Sequence, residues 1–121
     1  METNNRHYAV IDTYRGKVTV RHGDTVVAES RSALNLKEVG ASVYDSVLYF
    51  PKDDVDMTEL AKVENKTTSC PIKGAATYWD PKDETVDPYF AWSYEEAHPM
   101  TKKIEGHIAF NPALVTFVLE P

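Results

Sequence analysis

Cysteine is nearly absent: the 121 residues contain one, Cys70. A lone thiol closes no internal disulfide, so the fold has to hold through its core, and a reducing, cytoplasmic setting is expected. Basic charge is also scarce. Thirteen Lys and Arg stand against nineteen Asp and Glu, a formal net charge of -6. That balance excludes the basic footprint of a nucleic-acid binder and the cationic face of a membrane-surface helix. No apolar run approaches the ~18 residues of a membrane span. Residues 1–6 have no apolar stretch behind a basic end, so neither a membrane partner nor a secretory leader is expected.

Glycine-rich loops are missing too. The five glycines are scattered singly, which leaves no phosphate-cradling loop and no Gly-x-Ser-x-Gly elbow. Structural zinc wants paired Cys and His at short spacing, whereas His7, His22, His98 and His107 lie far apart. Asp53, Asp54 and Asp56 resemble the opening of a calcium loop, but its sixth-position glycine and closing glutamate are missing. The sequence therefore predicts no metal and no cofactor.

What is present is aromatic: two Trp, seven Tyr and four Phe. Such residues favour pleated, half-buried surfaces, and frequent Pro and Gly suit short strands better than long helices. The length fits one domain over residues 1–121, able to bury about two thirds of its unfolded surface. Alternation over Lys17–Arg21 and Thr25–Glu29, with Gly23-Asp24 between, predicts a hairpin in which Val20 faces Val27 and buries Val18, Val20 and Val27. Leu34 and Leu36 mark a short extended piece. Ser42–Phe50 reads as a strand halted by Pro51, and Asp53–Leu60 as a turn with a short irregular element. Ile72–Trp79 and Tyr89–Tyr94 read as strands, Ile108–Phe110 as a short one, and Leu114–Leu119 as a closing strand covered on both faces. Evenly spaced short strands predict a mainly β fold of antiparallel sheets, a sandwich or small barrel, with few helical turns.

Two segments could carry chemistry. In Thr67–Gly74, Lys73 stands three residues after Cys70 and could favour a thiolate; the alternative is a buried cysteine acting as a small apolar residue. On a strand, i and i+3 point apart, so contact between the two requires a turn or a distortion at Gly74. In Ala91–Tyr94, Trp92 and Tyr94 fall on one strand face, where they could wall a pocket or simply pack a core.

Tyr49-Phe50-Pro51 with Asp54-Val55, then Thr68, Cys70-Pro71 and Lys73-Gly74, then Trp92-Ser93-Tyr94 and Gly106–Phe110 occur in this order, with Val27–Ser30 upstream. From about Lys17 to Leu119 the chain resembles a bacterial and fungal family catalogued as domain of unknown function 427. The resemblance implies a β-tent: two antiparallel sheets meeting along one edge and splayed at the other. The family also carries a nucleotidyltransferase-like label, yet no Gly-Ser motif with paired carboxylates is present here to hold magnesium and a nucleotide. Zinc-bearing relatives of that fold use Cys-x-x-Cys pairs that this chain lacks, and Ile72 stands where an aromatic is common after Cys-Pro.

The expected function is binding of a small polar or cationic ligand in a cleft between the sheets. Tyr49, Trp92 and Tyr94 would form its wall, with Asp54, Lys73 and Cys70 as polar groups. Two other readings compete with this one. In the first, Cys70 is the nucleophile of a cysteine-dependent enzyme; in the second, the chain is a protein-interaction module with no ligand site.

Overall fold

The computed structural model describes residues 7–121. Ten strands fall into three antiparallel sheets: β1 (Tyr8–Thr13), β4 (Leu34–Val39) and β5 (Val47–Tyr49) in the order β1-β4-β5; β2 (Lys17–His22), β3 (Thr25–Ser30) and β10 (Thr116–Glu120) in the order β10-β2-β3; and β6 (Leu60–Cys70), β7 (Gly74–Pro81), β8 (Ala91–Ser93) and β9 (Ile108–Phe110) in chain order. Among the described residues, helical structure is confined to 3-10 turns at Lys52–Asp54, Met57–Glu59 and Pro99–Ile104. The mainly β class read from the sequence is the class observed, but with three antiparallel sheets in place of the expected two. No helix among the described residues is long and apolar enough to cross a membrane.

The first and third sheets are not independent. Phe50 and Ile108 exchange two backbone hydrogen bonds of 2.8 Å, tying the end of β5 to the start of β9. Successive strand residues point to opposite faces, so Tyr49 and Phe50, both fully buried, enter different cores. Phe50 joins Val18, Val20 and Ala28 of the second sheet, Trp79, Ile108 and Phe110 of the third, and Phe90, which precedes β8. Tyr49 joins Leu36 of its own sheet and Ala76, Tyr94 and Ala109 of the third. The four-stranded sheet is thus covered on both faces, which is why Ile108, Ala109 and Phe110 are all buried.

The β2–β3 hairpin turns at Gly23-Asp24, between the pair His22 and Thr25, with Gly23 at φ 61. A bulge then shifts the register, so that Val20 faces Ala28 rather than Val27. Val27 is nevertheless buried, with Val18 and Val20, because the bulge turns it inward. The strand expected over Ser42–Phe50 is only three residues long. Hydrogen bonds Gly40 N to Ser42 O and Tyr44 N to Glu38 O, of 2.9 and 3.0 Å, fold its first half into turns instead. The closing strand is an edge strand paired with β2 alone, and Val118 and Leu119 are 40% and 53% exposed, not covered on both faces. Two strands carried no clear sequence signal. β1 leaves four of its six residues exposed, and β6 is a polar edge strand distorted between Lys62 and Thr67, with Asn65 at φ 61.

Ile72–Trp79 does not start as a strand: β6 and β7 form a hairpin through Pro71-Ile72-Lys73, and Gly74 pairs with Cys70. Gly74 has φ +105, and a Cβ there would lie 3.0 Å from the Glu96 carbonyl oxygen. That is a close backbone approach in a conformation side chains rarely adopt. Gly74→Ala is expected to cost about 1–3 kcal/mol of stability, measured as a lower urea midpoint with an unchanged m-value.

Candidate functional site

Lys73 leaves this tight hairpin on the side of the third sheet that faces β4. Its ammonium donates to Glu38 Oε1 at 2.8 Å, and the other oxygen, Oε2, lies 2.6 Å from His7 Nε2. The Lys73 and Glu38 side chains are only 12% and 15% exposed. Glu38 reaches this position because β4 alternates: Leu34, Leu36 and Glu38 share the inward face, the last at the end of the strand. Burial raises the Glu38 pKa, but hydrogen bonds from Lys73 and His7 outweigh it and hold the carboxyl below its ordinary value. Burial likewise opposes the Lys73 charge, while Tyr49 and Glu38 more than offset it and keep the ammonium protonated above the ordinary lysine range. Burial is also the main cause that raises the phenols of Tyr49 and Tyr94.

A pocket of about 200 Å³ opens beside this pair, lined by Lys73, Tyr78, Tyr89, Trp92 and Tyr94. Trp92 and Tyr94 stand two apart at β8 and its end, and Tyr78 faces Trp92 across the ladder. The Tyr89 ring meets the Trp92 ring edge-on, with centroids 5.2 Å apart and planes at 86°, and lies 6.1 Å from Tyr78. Asn111 fixes this segment by donating its side-chain amide to the Tyr89 carbonyl and its backbone N–H to that of Phe90, at 3.0 and 2.8 Å. Lys73 Nζ sits 5.4 Å from the centre of the Tyr94 ring.

Of the residues singled out in the sequence, Lys73, Trp92 and Tyr94 come together here. Tyr49 is completely buried and lies behind the pocket, its hydroxyl accepting from Trp92 Nε1 at 3.2 Å, so it supports the wall rather than forming it. Cys70 is half-buried at the end of β6 and packs against the same cluster. Among the described residues no side chain hydrogen-bonds its sulfur, and the nearby Lys73 is bound to Glu38. Asp54 does not belong to this group. After Pro51 the chain crosses to β3, where Val55 bridges Ala28 and the Asp54 carboxylate accepts from Ser30 Oγ at 2.6 Å.

Sequence reasoning missed Glu38, His7, Tyr78 and Tyr89. Tyr78 was recoverable from strand alternation with Ala76. Glu38 was not, because its partner lies 35 residues away and nothing local couples them.

Fold and site together define a small mainly β protein with an aromatic cleft closed at one side by a shielded ion pair. The chain belongs to the family described as domain of unknown function DUF427, which matches residues 10–120. No curated protein matches it.

Proposed function

We propose that the protein binds a small planar ligand in the cleft of Tyr78, Tyr89, Trp92 and Tyr94, with an acceptor group of the ligand taken by Lys73. The observation that carries this reading is the state of the Lys73 ammonium. It has three N–H donors, gives one to Glu38, and has no other hydrogen-bond partner among the described residues, while its side chain lines the pocket. A buried ammonium with donors to spare suits an oxygen acceptor, and aromatic walls suit a flat ring. A cationic ligand fits less well. It needs a free carboxylate, but Glu38 is engaged by Lys73 and His7, and Asp54 lies elsewhere.

Three planar probes of nearly one shape separate the charge classes: benzoate, benzamide and benzamidinium, titrated while following the Trp92 indole N–H resonance. Benzoate is expected to bind tightest and the cation weakest. Tyr89→Ala, which removes a wall without touching the ion pair, should weaken benzoate by about tenfold, the scale of one lost aromatic contact. Equal, unsaturable responses to all three probes, or benzoate binding unchanged in Tyr89→Ala, would sink the proposal.

A further inference from the structure

The Phe50–Ile108 bridge is the only backbone pairing between β5 and β9 among the described residues. Continued antiparallel pairing would bring Leu48 opposite Phe110. Instead the strands part, and both residues line a slot of about 290 Å³ between them. Its remaining walls are Val47, Trp92 and Phe117, and Ser46 and Pro112 are exposed residues on its lining. No charged side chain lines it among the described residues; the polar side-chain groups of its lining are the Ser46 hydroxyl and the Trp92 indole N–H, the latter donated to Tyr49. The slot opens to solvent at Ser46 and Pro112, so its apolar lining meets water unless something covers it. A dry cavity of about 150 Å³ takes one benzene, so this slot is roughly that of a two-ring molecule. Three of its walls are aromatic rings, which favours a flat aromatic occupant over a branched aliphatic one.

We infer that this slot is a second small-molecule site, taking an uncharged two-ring aromatic group. It does not depend on the polar cleft for its chemistry: the two share only Trp92, which lines both. The ligand of this site therefore differs in class from that of the Lys73 cleft, being held by contact and water exclusion with no ionic anchor.

The test uses naphthalene as the probe and the methyl resonances of Val47 and Leu48 as the readout, with those of Val18 and Val27 in the opposite core as the reference. Saturable shifts at Val47 and Leu48 are expected, with none at Val18 or Val27. Ser46→Phe places a ring in the slot from its exposed side, where folding is least at risk, and should weaken naphthalene about tenfold or more while leaving benzoate binding as it was. Tyr89→Ala should do the reverse. Pro112→Trp offers the same blockade independently from another exposed position. Absence of saturable shifts up to the solubility of naphthalene overturns the inference, as does retention of binding in both blocking variants. Loss of benzoate binding alone would instead count against the polar-cleft reading and leave this one standing.

Discussion

Glu38→Ala is expected to lower stability by about 2–4 kcal/mol at neutral pH. Breaking a fully buried ion pair by removing one partner costs about 3–5 kcal/mol, because the other charge is left uncompensated, and the slight exposure of this pair reduces the figure. Two contacts are lost together, the bond to Lys73 and the bond to His7, and the Lys73 ammonium is left with no carboxylate bonded to it among the described residues. The double variant Glu38→Leu with Lys73→Met should recover most of the loss, since a matched apolar pair leaves no charge buried. Urea unfolding of the two variants and the parent checks this; a double variant as unstable as Glu38→Ala would show that the pair is not the cause.

The same pair sets a pH dependence. Glu38 has a lowered pKa in the fold, so its contribution is present above the ordinary glutamate value of about 4.3. It is lost as pH falls through the lower folded value. Lys73, Tyr49 and Tyr94 have raised pKa values. Their contributions are complete below the ordinary values of about 10 and vanish as pH rises through the folded ones. Stability is therefore expected to fall at both extremes, with the acid-side fall shallower in Glu38→Gln.

Phe50→Ala should be the most damaging core substitution in the molecule, at about 3–5 kcal/mol. The ring is fully buried, packed 5.9 Å from Phe110 and stacked 6.4 Å from Phe117, and its backbone carries the bridge to Ile108. Removal leaves a cavity at the one backbone bridge between the first sheet and the third among the described residues, so the loss should spread beyond the cavity itself. Phe50→Leu, which keeps most of the volume, is expected to cost less than half as much. Chemical denaturation gives both values, and amide exchange should show Ile108 and its neighbours losing protection first in Phe50→Ala. Equal costs for the two substitutions would mean that packing at this junction is not what holds the sheets together.

Much of this molecule is legible from local pattern. Alternating Val and Thr around Gly23-Asp24 specify the β2–β3 hairpin because a two-residue turn with a glycine at positive φ needs no distant partner. The aromatic content and frequent Pro and Gly point to short strands, and the spacing of Trp92 and Tyr94 puts them on one face because a strand has period two. Other features depended on what each strand met. Leu114–Leu119 reads as a buried strand by composition, yet it lies at an edge because only β2 is available to pair with it. β6 has little apolar alternation to read, since between buried Leu60 and half-buried Cys70 most of this edge strand is exposed. The one-residue bulge at Val27 is likewise silent in the sequence and changes every pairing beyond it.

The candidate site divides along the same line. Lys73 is marked by its place before Gly74, and Trp92 and Tyr94 by their strand. Asp54 looks equally suitable, but the turn after Pro51 carries it to the opposite core. Glu38, which together with Tyr49 sustains the charge of Lys73, comes from another sheet 35 residues away, and His7, on its other oxygen, precedes β1. Local sequence determines which face a side chain takes, because backbone geometry has a fixed period. Which charges meet on that face is decided by the packing of one sheet on another, which depends on contacts between residues distant in the chain.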